Sequence, residues 1–272
     1  MRVLVTFPGK VGDIIWALPT VRAISVFYNT PVEFACSREF GKNGLDTLLK
    51  AQNYIADMFE IPFPSWEASG ACGDNYCIPP EEKKYDKVIH LGYKRWPEKE
   101  LAQEIYDNWI EEGKPEKLDM SPWIAEYCKQ SKNQIFVGWS QEWIELKMGI
   151  TTNLASASGV PGLHVSSMSG GRQSEWLTGL MYEIKEENLW EAALHMQDSR
   201  FYLGCLSSLW VLANALGKHC VVVEPAEARW NKIFWREDEK NVLVRGGDGM
   251  RIKGCFIMEC IVTGKQIGRA HV

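Results

Sequence analysis

The segment from Arg2 to Ser25, RVLVTFPGKVGDIIWALPTVRAIS, constrains the fold more than any other part of this chain. An apolar run is followed by a loop that contains proline and glycine. A long segment with helical apolar periodicity then begins at Asp13. This pattern predicts a buried strand, a tight loop and a helix with a carboxylate in its first turn. Because open α/β sheets bind ligands at the carboxyl ends of their strands, the loop marks a candidate site.

Asp13 has two interpretations in this context. A helix N-terminus presents unpaired N–H groups and a positive dipole, so the carboxylate can simply cap the helix. It can also act as a general base in a cleft, where burial raises the pKa of a carboxyl group. Lys10 lies in the same loop, where it either binds an anionic substrate group or remains a solvated lysine.

Strands and helices alternate through the first half of the chain, which predicts βαβ units and a parallel sheet. The predicted strands are RVLVTF, VEFACS, a short strand in YIADMFEIP, and YDKVIHLGY. The predicted helices are residues 13–28, 44–52, 98–112 and 122–130, the last starting at a proline. Residues 62–84 are rich in proline, glycine and charge, which predicts a long loop. The polar SKNQ segment predicts a domain boundary, so that residues 1–132 form the N-terminal domain.

The second half restarts the same alternation and predicts a C-terminal domain over residues 133–266. Its predicted strands are IFVGWS, LHVSS, RFYLG and HCVVVEP, and its predicted helices are ENLWEAALHMQ and SSLWVLANALG, the latter ended by Gly217. The last six residues, IGRAHV, match one reading frame of a common sequencing adapter. We therefore expect residues 267–272 to be a non-native tail and the second domain to be cut short.

A second informative block runs from Phe201 to Pro225, FYLGCLSSLWVLANALGKHCVVVEP. It reads as strand, short loop, helix and strand. Amides at the start of this helix, with the hydroxyls of Ser207 and Ser208, can hold a diphosphate. They can also stabilise negative charge on a departing diphosphate. The alternative is a plain helix of an α/β sheet with a serine N-cap.

Both blocks resemble the heptosyltransferases, a glycosyltransferase family that adds heptose to the lipopolysaccharide core. Members open with a strand, a loop ending in Gly-Asp and a helix with a Leu-Pro pair, which correspond here to Gly12, Asp13, Leu18 and Pro19. In the second block, the matching positions are Gly204, Ser207, Leu209, Leu212, Ala213, Ala215, Leu216 and Gly217. The resemblance implies an α/β fold of two Rossmann-like domains that face each other across a cleft (GT-B). It also implies that Asp13 deprotonates the acceptor hydroxyl.

The second block departs from the family pattern at three positions. Leu206 stands at an acidic position, Ser208 at a glycine and Val211 at a histidine. These changes remove polar contacts that the family makes to the donor. They therefore favour, as an alternative, a catalytically inactive relative that binds sugar or nucleotide.

Further site residues follow from position and charge. His90 ends a predicted strand and is followed by Lys94 and Arg95, so these three, with Lys10 and Gly12, are the candidate acceptor-binding residues. A capped strand and a solvated basic pair are the alternative. For the donor, Lys147 and Arg172 are candidate phosphate ligands, and Glu224 is a candidate partner of a ribose hydroxyl, alongside Gly204, Ser207 and Ser208.

Composition narrows the class of protein. The 272 residues are 46% hydrophobic and carry a net charge of −5, which argues against nucleic acid as the main partner. No apolar run reaches the roughly 18 residues of a membrane span, and no signal peptide is read at the N-terminus. The eight cysteines are scattered, which predicts free thiols, although Cys72 and Cys77 are close enough for a local disulfide. For the twelve tryptophans, domain packing is preferred over sugar stacking or contact with a membrane interface.

We therefore predict a cytoplasmic glycosyltransferase, placed at the inner face of the membrane, that transfers a heptose-like sugar with inversion and without a metal or other cofactor. Its partners would be a nucleotide-sugar donor and a saccharide or lipid-linked saccharide acceptor. Two further alternatives are a sugar-nucleotide epimerase, for which no convincing additional acid–base set is found, and an interaction protein that uses exposed tryptophans.

Overall fold

The computed structural model divides the described part of the chain into two compact α/β units. Unit 1 contains the described residues up to Ala125 together with 188–191, and unit 2 contains the other described residues from Glu126 onward. The described residues are 1–37, 44–61, 84–93, 99–127, 134–139, 164–169, 181–183, 188–204, 206–225 and 240–246. Three predicted features lie outside the described residues. They are the loop at 62–84 and the domain boundary at 131–134, each except for its last residue, and the tail 267–272.

Unit 1 is built on a four-stranded parallel sheet with the strand order β3-β2-β1-β4. Its strands are β1 (Val3–Phe7), β2 (Val32–Ser37), β3 (Ile55–Ile61) and β4 (Lys87–His90). Its helices are α1 (Val11–Phe27), α2 (Leu45–Lys50) and α3 (Leu101–Asn108). All four predicted strands and the first three predicted helices are confirmed, with ends that shift by a few residues.

β1 is an interior strand, paired with β2 and β4, and every one of its five residues is buried, as expected for a parallel strand covered on both faces. Leu4 is in register with Glu33 of β2 on one side and with Val88 of β4 on the other. The chain therefore runs outward from β1 through β2 and β3, and then returns to the opposite side of β1 as β4. This reversal between β1 and β4 is a topological switch point, where open α/β sheets bind ligands.

The Leu-Pro pair in α1 leaves one backbone carbonyl without its helical partner. Pro19 has no N–H group, so it cannot donate to the carbonyl oxygen of Ile15 four residues earlier. The indole Nε1 of Trp123 fills the vacancy and donates to that oxygen at 3.0 Å, while its ring packs on Trp16 at 5.5 Å between centroids. Trp123 is thereby joined to α1 by both a hydrogen bond and a ring contact.

The predicted helix over residues 122–130 is wrong for its described part, because residues 122–127 have no helical structure. Their backbone N–H groups are used elsewhere: Ala125 donates to Gln52 Oε1 at 3.0 Å. Tyr127 donates to Gln197 Oε1 at 2.8 Å. Tertiary side-chain acceptors have replaced the intrahelical carbonyls that a helix would need.

The predicted helix over residues 98–112 ends early, at Asn108. Trp109 has extended backbone angles and packs its ring on Phe27 at 5.4 Å. Lys114 Nζ donates to the carbonyl oxygens of Tyr106 and Trp109, at 3.0 and 2.5 Å. A cation on the terminal carbonyls of a helix stabilises that end.

Unit 2 carries a six-stranded parallel sheet with the order β10-β9-β8-β5-β6-β7. Its strands are β5 (Gln134–Trp139), β6 (His164–Ser169), β7 (Met181–Glu183), β8 (Ser199–Gly204), β9 (His219–Pro225) and β10 (Asn241–Gly246). The helices are α4 (Leu189–Asp198), which starts among the unit 1 residues, and α5 (Ser208–Ala215). The four predicted strands and both predicted helices are confirmed, whereas β7 and β10 were not predicted. The switch point lies between β5 and β8.

The end of α5 follows from its sequence. Gly217 has a φ of 69°, which glycine adopts without strain. Gly217 and Lys218 donate their N–H groups to the carbonyls of Asn214 and Ala213, both at 2.9 Å, which is a Schellman motif. The predicted stop at Gly217 is confirmed.

The predicted packing role of the tryptophans is confirmed for four of them, because Trp16, Trp109, Trp123 and Trp210 are all at most 2% exposed. Cys36 and Cys220 are buried free thiols, as predicted. The other six cysteines lie outside the described residues. Both units therefore have the open parallel α/β sheet that the sequence predicts.

Candidate functional site

The candidate site of unit 1 lies at the carboxyl ends of β1 and β4, at the switch point. Two short segments leave these strands side by side, residues 8–10 after β1 and residues 91–93 after β4. The backbone N–H of Leu91 donates to the carbonyl oxygen of Thr6 at 2.9 Å, which continues the pairing of the two strands by one residue. Asp13 meets both segments.

Asp13 is the third residue of α1, because the helix begins at Val11, two residues earlier than predicted. Its Oδ2 atom accepts two hydrogen bonds, from the backbone N–H of Lys10 at 3.1 Å and from the hydroxyl of Tyr93 at 3.0 Å. Its Oδ1 atom accepts none from the described residues. Asp13 thus takes part in capping the helix through one oxygen, as one of its two interpretations expects, and its role as a general base stays a prediction.

Burial raises the pKa of Asp13 above the ordinary value of an aspartate. The N–H of Lys10, the hydroxyl of Tyr93 and the positive charge of Lys10 act in the opposite direction and offset part of the rise. A carboxylate whose pKa is raised accepts a proton more readily, which is the adjustment that general-base catalysis near neutral pH requires.

Tyr93 was not identified from the sequence, where it was interpreted as the end of a strand. It is 2% exposed, and its ring lies 6.1 Å from that of Phe7. The side-chain amide of Asn108 donates to the carbonyl oxygen of Gly92 at 2.7 Å and holds the segment that carries Tyr93. No local pattern identifies such a residue, because its role depends on the crossing of two strand ends 80 residues apart.

Gly9 is the second residue that the sequence analysis did not single out. A Cβ atom at this position would lie 2.3 Å from Phe7 Cε1 and 2.6 Å from Asp13 Cβ. Phe7 is fully buried, so its ring has no room to withdraw. Only glycine allows the loop to pass between the end of β1 and the first turn of α1. The Pro-Gly pair in the loop was the available signal.

The predicted acceptor residues that are described lie at the same end of the sheet. Lys10 precedes α1 with an exposed side chain, and Gly12 lies in the first turn of that helix. His90 ends β4, and its Nδ1 atom lies 2.8 Å from the hydroxyl of the buried Thr6, which orients the ring. Lys94 and Arg95 lie outside the described residues.

The candidate site of unit 2 lies at the equivalent place, after β8 and beside the end of β5. Gly204 is the last residue of β8 and is in register with Gly138 of β5. Ser207 is the N-cap residue of α5, and its carbonyl oxygen accepts the first helical hydrogen bond, from Val211 at 3.1 Å. The N–H groups of Ser208 and Leu209 therefore precede the helical ladder and point out of the helix end.

The hydroxyl of Ser207 does not cap this helix. It makes no hydrogen bond to a helical N–H, and its Oγ atom lies 3.4 Å from the hydroxyl of Tyr202. The serine N-cap alternative therefore accounts for the backbone but not for the side chain. Among the departures from the family pattern, Val211 is buried in α5 and Leu206 is partly buried.

The remaining predicted donor residues are described in part or not at all. Glu224 lies in β9, in register with Arg245 of β10, and only its backbone is described. Lys147 and Arg172 lie outside the described residues. Within the described ranges, no cluster of three histidine, cysteine or acidic side chains could hold a metal ion, and no helix is long and apolar enough to cross a membrane.

No protein-family model matches this chain, and no curated protein matches it by sequence. Solved structures do match. The E. coli heptosyltransferase WaaC with ADP is 9% identical, with 97% of this chain and 100% of that chain covered and a TM-score of 0.67. The E. coli ADP-heptose lps heptosyltransferase II is 12% identical, with 97% and 98% covered and a TM-score of 0.65. A family 9 glycosyltransferase from Veillonella parvula DSM 2008 is 12% identical, with 98% and 90% covered and a TM-score of 0.61. At this identity the likeness establishes the fold, and the chain has the GT-B fold of the heptosyltransferases, as the sequence resemblance implied.

Proposed function

We propose that this chain is a glycosyltransferase that moves a heptose-like sugar from a nucleotide-sugar donor to a hydroxyl group of a saccharide or lipid-linked saccharide. The observation that carries the proposal is the state of Asp13. Its Oδ2 atom is held by two hydrogen bonds, its Oδ1 atom accepts none from the described residues, and burial raises its pKa. The fold is compatible with this activity but does not identify it.

In the proposed reaction, Oδ1 of Asp13 takes the proton of the acceptor hydroxyl while the oxygen forms a bond to the anomeric carbon of the donor sugar. The bond from that carbon to the diphosphate breaks, and the nucleoside diphosphate departs with the electron pair. A single displacement of this kind inverts the configuration at the anomeric carbon. The base contributes most where its pKa approaches the working pH.

Unit 2 supplies the donor site in this proposal. The start of α5 offers several hydrogen-bond donors: the N–H groups of Ser208 and Leu209 and the hydroxyls of Ser207 and Ser208. The dipole of α5 adds positive potential at the same end of the helix. A diphosphate gains negative charge as it departs, and such groups stabilise that charge. We assign no metal or organic cofactor to the reaction, and the nucleotide-sugar is a co-substrate.

A second candidate function is supported by a specific observation in the same helix. Val211 is buried where the heptosyltransferases have a histidine, and Leu206 replaces an acidic residue, so two polar contacts to a donor are missing. A relative that binds a nucleotide-sugar without turning it over would retain the N–H groups of the α5 site and would bind the donor without these two contacts. Turnover separates the two candidates.

The test is a calorimetric titration of the purified chain with ADP-, UDP- and GDP-sugars, followed by an assay for sugar transfer. The panel starts with ADP-sugars, because similar structures contain ADP and ADP-2-deoxy-2-fluoro heptose. Saturable binding of one donor, weakened by Ser208→Ala, together with transfer, is the expected result. Donor binding with neither sugar transfer nor slow donor hydrolysis would favour the non-catalytic relative. A folded chain that binds no member of the panel would contradict both candidate functions.

We further propose that the protein acts in the cytoplasm at the inner face of the membrane, where a lipid-linked acceptor would be displayed. Val26 and Ile110 are large apolar side chains of unit 1 that are 73% and 89% exposed. Cosedimentation with lipid vesicles, lost in Val26→Ser and Ile110→Ser variants, would support membrane contact. Full recovery of the wild-type chain in the supernatant would contradict it.

A further inference from the structure

The two hydrogen bonds on Asp13 are distributed unevenly. Both the hydroxyl of Tyr93 and the N–H of Lys10 donate to Oδ2, so the carboxylate is attached through one oxygen. Two donors on one oxygen restrict rotation about the Cβ–Cγ bond of Asp13, because a rotation that exchanged the oxygens would break both bonds. The oxygen that receives neither bond then keeps a defined direction.

Tyr93 is itself held in place from three sides. Its ring packs against the fully buried Phe7, and the residue before it is tied to α3 by the bond from Asn108 to the carbonyl of Gly92. Leu91 is bonded to the end of β1. The hydroxyl therefore reaches Asp13 from a rigid support, at 3.0 Å, and in a side chain that is 2% exposed. Rigid support of this kind is what positions a catalytic group within the tolerance that its chemistry needs.

We propose that Tyr93 is a positioning residue, whose hydroxyl fixes Oδ2 of Asp13 so that Oδ1 is the oxygen that takes the acceptor proton. This inference rests on the proposed glycosyl transfer. It extends that proposal by assigning different tasks to the two oxygens of one carboxylate and by giving a task to a residue from the segment after β4.

The same hydroxyl has an electrostatic effect that can be measured. The groups that face Asp13 are the Lys10 ammonium from its own loop and the Tyr93 phenol from the segment after β4, while His90 at the end of β4 is bonded to Thr6. A hydrogen bond donated to a carboxylate favours its charged form and lowers its pKa. Removal of the hydroxyl therefore raises the pKa of Asp13 further, and the acid limb of the rate profile moves to higher pH.

The decisive variant is Tyr93→Phe, with Tyr106→Phe as the matched control. Tyr106 is equally buried in unit 1, but its hydroxyl donates to the carbonyl oxygen of Pro115. For Tyr93→Phe we expect kcat to fall roughly 10-fold on the pH plateau, because a misdirected base loses orientation, while KM for the acceptor stays unchanged. The acid limb of the pH profile of kcat should shift to higher pH in Tyr93→Phe. In Tyr106→Phe it should stay where it is in the wild type.

Two additional measurements keep the test independent of folding and of turnover. Carbon-13 NMR of the Asp13 carboxyl follows its titration directly in the wild type and in Tyr93→Phe. A fluorinated tyrosine at position 93 keeps the shape of the side chain and makes its hydroxyl a stronger donor, so the titration and the acid limb should move to lower pH.

The outcomes are distinguishable. If the chain transfers sugar but neither variant at position 93 moves the acid limb or the carboxyl titration, the role of Tyr93 is overturned and the proposed function stays intact. An equal loss of kcat in Tyr106→Phe shows a merely structural effect and also overturns it. A folded wild-type chain that turns over no donor overturns the proposed function, and the catalytic role of Tyr93 with it.

Discussion

The loop after β1 in unit 1 and the loop after β8 in unit 2 occupy equivalent places, yet they present opposite chemistry. Each follows an interior parallel strand at a switch point and leads into a helix. The loop of unit 1 is crowded with side chains and presents a carboxylate with a raised pKa. The loop of unit 2 presents backbone N–H groups and serine hydroxyls, without a charged residue in the first turn of its helix.

The difference shows what one architecture can be made to do. A helix N-terminus favours an anion in both units. In unit 1 the protein supplies that anion itself, as Asp13, and neighbouring side-chain contacts hold it in place. In unit 2 the helix end carries no acidic side chain, which leaves its N–H groups for an external anion such as a diphosphate. The comparison predicts that substitutions in the first loop alter chemistry and packing, whereas those in the second alter affinity.

Among substitutions that leave the carboxylate of Asp13 in the chain, the largest effect is expected from Gly9→Ala. The added Cβ atom would lie 2.3 Å from Phe7 Cε1 and 2.6 Å from Asp13 Cβ, so the loop or the helix start must move. We expect a loss of about 1–3 kcal/mol in the free energy of unfolding from overpacking, and about 100-fold in kcat from displacement of Asp13. Chemical denaturation and a transfer assay measure these.

Gly113→Ala is the control for that variant. A Cβ atom there meets no atom within 4 Å, although the φ of 79° makes any other residue strained. It should cost about 1 kcal/mol and leave kcat unchanged. If both glycine variants had the same kcat as the wild type, the crowding of the first loop would have no functional meaning.

Next in size is the support of α1 by Trp123. Trp123→Phe removes the donor from the carbonyl oxygen of Ile15, and an unpaired buried carbonyl costs about 1–3 kcal/mol. Pro19→Ala supplies an N–H group to the same oxygen. In a double-mutant cycle followed by urea unfolding, Trp123→Phe should therefore cost less in the Pro19→Ala background. Strict additivity would show that Trp123 acts through packing alone.

A smaller effect is expected at the second loop. Because the hydroxyl of Ser207 makes no bond to a helical N–H, Ser207→Ala should not cost the roughly 1 kcal/mol that loss of a capping side chain usually does. It should instead weaken donor binding about 3- to 10-fold, as expected for the net contribution of one ordinary hydrogen bond. Thermal unfolding and calorimetry report the two quantities. A destabilised variant with unchanged donor affinity would reverse the assignment.

The smallest expected effect is the sign of the change in stability with pH when Asp13 is replaced. The pKa of Asp13 is raised in the folded protein, so the folded state favours the protonated carboxyl. Such a group contributes stability below its unfolded pKa, and this contribution is lost as pH rises through the folded pKa. Asp13→Asn should therefore be more stable than the wild type at neutral pH and lose that advantage in acid. Denaturant unfolding at a series of pH values measures the difference, with Asp46→Asn, an exposed first-turn aspartate of α2, as the control.

The sequence predicted the elements whose signal is local. β1, α1 and the stop of α5 at Gly217 follow from apolar periodicity, a proline–glycine loop and a helix-ending glycine. The segment at 122–127 was misassigned, because its backbone donors are taken by Gln52 and Gln197, which are remote in sequence. A pattern of apolar residues contains no information about such partners.

The candidate site divides in the same way. Asp13 was identified because its loop, helix and Leu-Pro context lie within one short segment. Tyr93 was missed because it reaches Asp13 only through the pairing of β1 with β4, which brings residues 80 positions apart into contact. Gly9 was missed because the Pro-Gly pair indicates a turn but does not show that a Cβ atom there would meet Phe7 and Asp13.

The central claim is that unit 1 supplies the base and unit 2 binds the donor, and one pair of measurements on the same samples tests it most directly. Donor affinity by calorimetry and transfer rate are measured for the wild type, Asp13→Asn and the combined Ser207→Ala, Ser208→Ala variant. We predict that Asp13→Asn keeps the wild-type donor affinity and loses about 100- to 10,000-fold in kcat, as general-base loss entails. The combined serine variant should lose donor affinity more than it loses kcat. Full transfer activity in a folded Asp13→Asn chain would contradict the account.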